Sequence, residues 1–361
     1  MKHEIQRMRA YLSTTQASIE HILNRVDSLV DQVAEVKILP TTMIYLVGNG
    51  SSGEGVRIAS YLAMELFDRS PICVTPYQFT HSTFTVLHSE DIVIVLSQTG
   101  TSHEVVESLR LAKAQHAKSI SLTATVESPC AKLADIPVIL DECVEDVDYK
   151  VTGVVGLLVG LWIVLIGIAL ANHLIEKSKS KELLNQLIEL NSRYDHYVSV
   201  AEKWTKKNVE RLESCFTLTV LGSGTLCETA SELSVKSIEV QNRYSIAMDT
   251  EEFLHGVCAA NPKMNLIVLL VDERTLDYSK KVYQAIKDRN QAVLWIGIDA
   301  PEGDLDLDLI CSGKFSVMQF FPAIHSLLIN WAELKNYGGI GTEIFAYYQN
   351  LLNVREKISI E

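Results

Sequence analysis

The stretch IYLVGNGSSG at residues 44–53 returns, in weaker form, as LTVLGSGT at residues 218–225. Each is a short apolar run of strand length that ends in a Gly-x-Gly turn. Gly48 and Gly50 are answered by Gly222 and Gly224 at an offset of 174 residues. The same offset carries IVIVL (92–96) onto LIVLL (266–270), and Ser119, which opens SISLTA, onto Val293 in AVLWIGI. Three apolar runs in register at one spacing imply a tandem duplication. Helix-periodic segments such as VRIASYLAMELF (56–67) and VVESLRLAKAQ (105–115) lie between the runs. Strands alternating with helices require parallel crossovers. The expected fold is therefore α/β, with two tandem domains, each a parallel sheet flanked by helices in a flavodoxin-like three-layer sandwich.

Outward from the repeats, residues 3–38 carry Ile5, Met8, Leu12, Ile19, Ile22, Val26, Leu29 and Val33 at helical spacing. The expected organisation is an N-terminal helix over 1–38, a first domain over 39–176, a linking helix over 177–213, a second domain over 214–340 and a tail over 341–361. With 47% hydrophobic and 21% charged residues the composition is globular. A formal charge of −13 without a Lys/Arg run argues against a nucleic-acid partner. The seven cysteines are scattered, odd in number and never spaced C-x-x-C. They are expected to be reduced, in a cytoplasmic protein. MKHEIQRMRAYL at the start has no apolar signal core. No H-x-x-x-H, C-x-x-C or carboxylate cluster suggests a metal, and no cofactor motif is present.

Two loops follow strands of the first copy: Gly48-Asn49-Gly50-Ser51-Ser52-Gly53 and Ser97-Gln98-Thr99-Gly100-Thr101-Ser102. Parallel sheets bind ligands at the carboxyl ends of their strands. Glycine lets backbone N–H groups approach an anion, hydroxyls add neutral donors, and a following helix adds its dipole. Ser51, Ser52, Ser97, Gln98, Thr99 and Ser102 are the candidate ligands of a phosphomonoester. The corresponding segment of the second copy begins Val271-Asp272-Glu273. Two carboxylates there would repel a phosphate, so one phosphate site per chain is expected, in the first copy.

GNGSS followed by SQTGTS resembles the phosphate site of the SIS (sugar isomerase) domain family, as in the isomerase half of glucosamine-6-phosphate synthase. Ala230-Ser231-Glu232 through Lys236-Ser237-Ile238-Glu239, followed by Phe253-Leu254-His255-Gly256, is similar to that family's A-x-E-x-x-x-K-x-x-E segment and its His-Gly loop. The resemblance covers most of the chain after residue 40. It implies that Glu239 transfers a proton, with Lys236 beside it on one helix face. It also implies that His255 opens the sugar ring from a neighbouring subunit in a homodimer, and that Lys357 in the tail NVREKISIE folds over the sugar. Val257 stands where the family has proline, Thr101 where it has an acid, and Val151-Thr152 where it has Thr-Lys. These departures lie around the sugar and leave its identity open.

The implied activity belongs to amino-sugar or fructosamine 6-phosphate metabolism: an aldose–ketose isomerase, deaminase or deglycase working by ring opening and C1/C2 proton transfer. A synthase-type aminotransfer would need a separate ammonia source. No glutaminase-type cysteine follows Met1. The alternative is a non-catalytic sugar-phosphate sensor or regulatory protein. One segment challenges a soluble reading: VTGVVGLLVGLWIVLIGIALAN (151–172) carries no charge and is long enough to span a bilayer. A span would place the two copies on opposite sides of a membrane, whereas the resemblance implies that both supply one site. A buried core helix, and no membrane partner, is the expectation.

Overall fold

Runs of β-branched and aromatic residues form the strands, and the helix-periodic runs between them form the helices. The computed structural model describes residues 2–83, 86–142, 144–260, 264–337, 342–352 and 354–356. In chain order the elements are α1 (Lys2–Leu23), α2 (Val26–Gln32), β1 (Ile44–Val47), α3 (Ser51–Phe67), β2 (Ile72–Val74), α4 (Pro76–Gln78), β3 (Ile92–Leu96), α5 (His103–Ala114), β4 (Lys118–Thr123), α6 (Pro129–Leu133), β5 (Ile136–Ile139), α7 (Thr152–Ala171) and α8 (Lys177–Ser192). They continue with α9 (Tyr194–Glu213), β6 (Thr217–Gly222), α10 (Thr225–Gln241), β7 (Tyr244–Asp249), α11 (Thr250–Leu254), β8 (Asn265–Val271), α12 (Leu276–Asp288), β9 (Ala292–Gly297), β10 (Leu305–Asp306), α13 (Val317–Leu334) and α14 (Thr342–Leu351).

There are two compact units. One, with β1–β5, takes Ala17–Asp146, Thr152–Ile188 and Glu343–Glu361. The other, with β6–β10, takes Met1–Gln16, Val147–Val151 and Glu189–Thr342. The first sheet has the order β2-β1-β3-β4-β5, and the second, read from the matching edge, β7-β6-β8-β9-β10. All pairings are parallel, so both sheets are the α/β arrangement expected. The offset of 174 holds beyond the strands. It maps both ends of α3 onto α10, and both ends of β4 onto β9. It also maps the left-handed residue that ends α3, Asp68, onto Asn242, which ends α10. β10 departs from this register, lying upstream of the position that β5 would predict.

In the first unit α5 covers one face of the sheet, burying Val105, Val106 and Leu109 against Tyr45, Val47, Val93 and Val95. Each such side chain contributes about 1.5–3 kcal/mol by leaving water. The uncharged segment becomes α7, long and apolar enough to cross a membrane by length and composition, with 89% of its most apolar window buried. It packs on α2 and α3, and its glycines admit neighbours closely. A Cβ on Gly160 would lie 2.6 Å from a Leu140 methyl, and one on Gly156 would lie 2.0 Å from the Glu142 carboxylate.

Two long helices expected from periodicity are interrupted. The 1–38 stretch breaks between α1 and α2, where Arg25 leaves helical geometry (φ −106°, ψ 12°) and donates to the Leu140 carbonyl at 2.9 Å. The linking helix breaks between α8 and α9 at Arg193 (φ −101°, ψ 3°), whose guanidinium pairs with Asp308 at 2.5 Å. In both places a tertiary acceptor prevails over local helix propensity.

Candidate functional site

Strands β1 and β3 are hydrogen-bonded neighbours, Val47 opposite Val95, yet their following connections run to opposite sides of the sheet order. Their carboxyl ends therefore flank the topological switch point, where open α/β sheets form a crevice. Both candidate phosphate loops leave from it. The first turns at Gly50 (φ +53°), which is the N-cap of α3 and puts no side chain on the first amides of that helix; Ser51 and Ser52 open its first turn. A Cβ on Gly48 would lie 2.6 Å from the Ser52 carbonyl oxygen, so the loop is tight as well as left-handed. Arg57, one turn on, pairs with Glu54 and lies beside Gly53.

The second loop opens α5. Ser102 is its N-cap residue, but its side chain makes no capping hydrogen bond. Gly100 (φ +61°) reverses the chain, and Thr99 and Thr101 share a hydrogen bond of 2.8 Å between their hydroxyls. Ser97 and Gln98 are buried. The Gln98 amide points under the loop to the start of α7, 3.5 Å from Glu145 Oε2. Glu145 in turn accepts the Thr152 and Gly153 N–H groups at 3.1 and 2.8 Å and so caps α7. Beside it the Glu142 carboxyl stands well above the usual carboxylate range, because of burial first and the Glu145 charge second. Sequence reading gave no sign of this acid pair.

The tail approaches the same loop. Ser102 and Arg355 form an antiparallel bridge. His103 N–H donates to the Val354 carbonyl at 2.9 Å, and Glu356 N–H to the Thr101 carbonyl at 2.7 Å. The Glu356 carboxylate lies 2.7 Å from His103 Nδ1 and 3.4 Å from Arg110, and its pKa is lowered, mainly by the His103 hydrogen bond. His103, Glu107 and Glu356 bring three ligand atoms within 4.8 Å of one another, although Arg110 already pairs with both carboxylates. Lys357 lies outside the described residues.

In the second unit the equivalent loop is occupied by its own carboxylate. Asp272 accepts the N–H groups of Arg274 and Gly313, each at 3.1 Å. The Asp272 carboxylate thus takes one amide of that loop and one of the segment before Phe315 for itself.

Lys236 and Glu239 are brought together on α10, with Nζ 2.7 Å from Oε2. Lys236 is buried, so this is no solvated surface pair. It also reaches Glu232 at 3.6 Å. Burial pushes the Glu239 carboxyl up, Lys236 pulls it down and Glu232 pushes it up again. His255 sits on the turn after α11, its side chain 71% exposed, and pairs with Glu251 at 3.3 Å rather than with Glu239. Two further histidines lie in buried or half-buried pairs: His103 with Glu356, and His325 with Glu232 at 3.3 Å. The partners are too far apart in sequence for spacing to reveal.

Residues 37–156 match the SIS domain family. That segment is a SIS domain. The second unit repeats the strand order of the first. The chain is similar to a glutamine–fructose-6-phosphate aminotransferase (isomerizing) of Sulfurisphaera tokodaii, 21% identical over 324 residues, 89% of this chain and 51% of that protein. A stretch of 82 residues is 40% identical to an uncharacterised HTH-type transcriptional regulator of Caldanaerobacter subterraneus, 22% of this chain and 29% of that protein. The chain thus spans about half the length of the aminotransferase and less of the regulator. The C-terminal domain of glucosamine-fructose-6-phosphate aminotransferase from Francisella tularensis has a TM-score of 0.79 at 18% identity, covering 94% of this chain and 98% of that one. At that identity the likeness is one of fold.

Proposed function

We propose that this SIS-domain protein is an enzyme that binds a sugar 6-phosphate and moves a proton between C1 and C2 of its open-chain form, as an isomerase, deaminase or fructosamine-6-phosphate deglycase. The observation that carries this is the pair of glycine- and hydroxyl-rich loops at the β1/β3 switch point. Each enters a helix with no side chain capping its first amides, and in α5 the His103 N–H is taken by the Val354 carbonyl. Such ends favour a dianion through both hydrogen bonds and dipole. Ser51, Ser52, Ser97, Thr99 and Ser102 are its hydroxyl donors, and Gln98 supports the loop from beneath.

Glu239, held by Lys236, is the proton acceptor for C1/C2 transfer. His255 acts on the ring oxygen from a second copy in a homodimer, consistent with its exposure. Lys357 is a further candidate over the sugar. The chemistry is an enediol proton shuttle that calls for neither metal nor redox cofactor, in the cytoplasm, with no nucleic-acid or membrane partner. A second reading, a non-catalytic sugar-phosphate sensor, draws on the likeness to the regulator. It would have no use for a buried Lys236–Glu239 pair. A panel of hexose and amino-hexose 6-phosphates separates the two. Turnover that falls at least about 100-fold in Glu239→Gln is the enzymatic outcome. Stabilisation by hexose 6-phosphates without turnover of any member would leave the sensor.

A further inference from the structure

Glu232, Lys236 and Glu239 project from α10 and His325 from α13, and their polar ends form one chain inside the second unit. Lys236 Nζ lies 2.7 Å from Glu239 and 3.6 Å from Glu232 Oε1, and His325 Nε2 lies 3.3 Å from that same Glu232 oxygen. The side chains of Glu232, Lys236 and His325 are 0%, 3% and 1% exposed, while Glu239 keeps 23%. Only the Glu239 end of the chain reaches outside. His325 Nδ1 has no hydrogen-bond partner among the described residues, which places the useful imidazole proton on Nε2, facing Glu232. The ring stacks on Phe321 with 5° between planes, which fixes its direction.

One ammonium shared by two carboxylates in a dry interior is costly unless a further donor is present. His325 supplies that donor. We propose that His325 is a positioning residue for Glu239: by donating Nε2–H to Glu232 Oε1 it competes with Lys236 for that oxygen and leaves the ammonium seated on the outer carboxylate. The inference rests on the role proposed above for Glu239. Without the imidazole, Glu232 draws Lys236 inward, and Glu239, deprived of its cation beside a negative neighbour, holds its proton more tightly. Among the described residues, Tyr149 from the 147–151 segment also faces these groups. Its phenol is pushed up to about 12 by burial first and then by Glu239, Asp148 and Glu4, so it stays neutral throughout.

The test follows, in the intact chain, the infrared band of the protonated carboxyl that disappears in Glu239→Gln. In His325→Asn, whose amide is too short to reach Glu232, the midpoint of that band should rise by about one pH unit. In His325→Gln, whose amide can stand in for Nε2, it should return to the wild-type value. Glu232→Gln removes the charge that competes for Lys236 and should lower the midpoint; it serves if His325→Asn does not fold. An unmoved midpoint in His325→Asn, or in Glu232→Gln where that variant must be used, overturns the proposal. The band is read without sugar, so a wild type that turns over no sugar phosphate would remove the functional proposal and leave this titration to be judged separately. Where turnover is present, the acidic limb of kcat/KM should move with the band, which a purely structural role would not require.

Discussion

Gly100→Ala and Gly50→Ala together test how the two candidate phosphate loops are built. Both glycines have left-handed backbones, φ +61° and +53°. A Cβ at such a positive φ costs about 1–3 kcal/mol. Their surroundings differ. A Cβ on Gly50 meets nothing within 4 Å, whereas one on Gly100 lies 2.3 Å from Ser128 Oγ, 2.4 Å from Ser128 Cβ and 2.8 Å from Thr123 Oγ1. Ser128 is not free to step aside, because its hydroxyl accepts the Ala131 N–H at 3.2 Å as the N-cap of α6. The Gly100 carbonyl in turn accepts the Cys130 N–H at 3.1 Å. Overpacking adds about 1–3 kcal/mol, and displacing the cap adds about 1 kcal/mol. Gly50→Ala should therefore lose about 1–3 kcal/mol and Gly100→Ala about 3–7 kcal/mol. Urea unfolding followed by circular dichroism measures both. Equal losses in the two variants, within about 0.5 kcal/mol, would refute the packing described for the 97–102 loop.

Glu142 offers a pH test. Its folded-state pKa stands well above the ordinary 4.5, so its contribution is complete below that value and is lost as pH rises toward the folded-state pKa. The loss runs at about 1.4 kcal/mol per pH unit. Glu142→Gln cannot ionise and should gain on the wild type at that slope above the ordinary value; parallel stability–pH curves would contradict the burial of an acid there. His103→Ala removes the partner of Glu356 and should speed tryptic cleavage after Arg355 by about fivefold, the worth of a half-exposed pair of about 1 kcal/mol. An unchanged cleavage rate would mean that the ion pair does not hold the tail.

The repeat was legible because its markers are local. Gly48, Gly50, Gly222 and Gly224 are demanded by turns that any strand-to-helix connection of this shape must make, and apolar runs report parallel strands directly. The breaks at Arg25 and Arg193 were not legible, since each depends on an acceptor more than 100 residues away, Leu140 and Asp308. The loop around Gln98 stood out as a candidate phosphate loop, but the inward turn of its side chain depends on the space left by Gly153, where a Cβ would lie 2.0 Å from the Gln98 amide nitrogen. Lys236 and Glu239 are three residues apart and fell on one face as expected. Their fourth partner, His325, lies on another helix, and no spacing rule connects it to Glu232.

The most direct measurement is calorimetric titration of the intact chain with a hexose 6-phosphate, the same hexose without phosphate, and inorganic phosphate, repeated for Ser97→Ala combined with Ser102→Ala. Two hydrogen bonds to a charged group are worth about 1.5–3 kcal/mol each, so the double variant should bind the sugar phosphate at least about 100-fold more weakly. The wild type should take up one equivalent per chain, because Asp272 already fills the corresponding loop of the second domain. The hexose without phosphate should not bind measurably. Affinity unchanged in the double variant, or two equivalents per chain, would contradict a single phosphate site at the β1/β3 crevice.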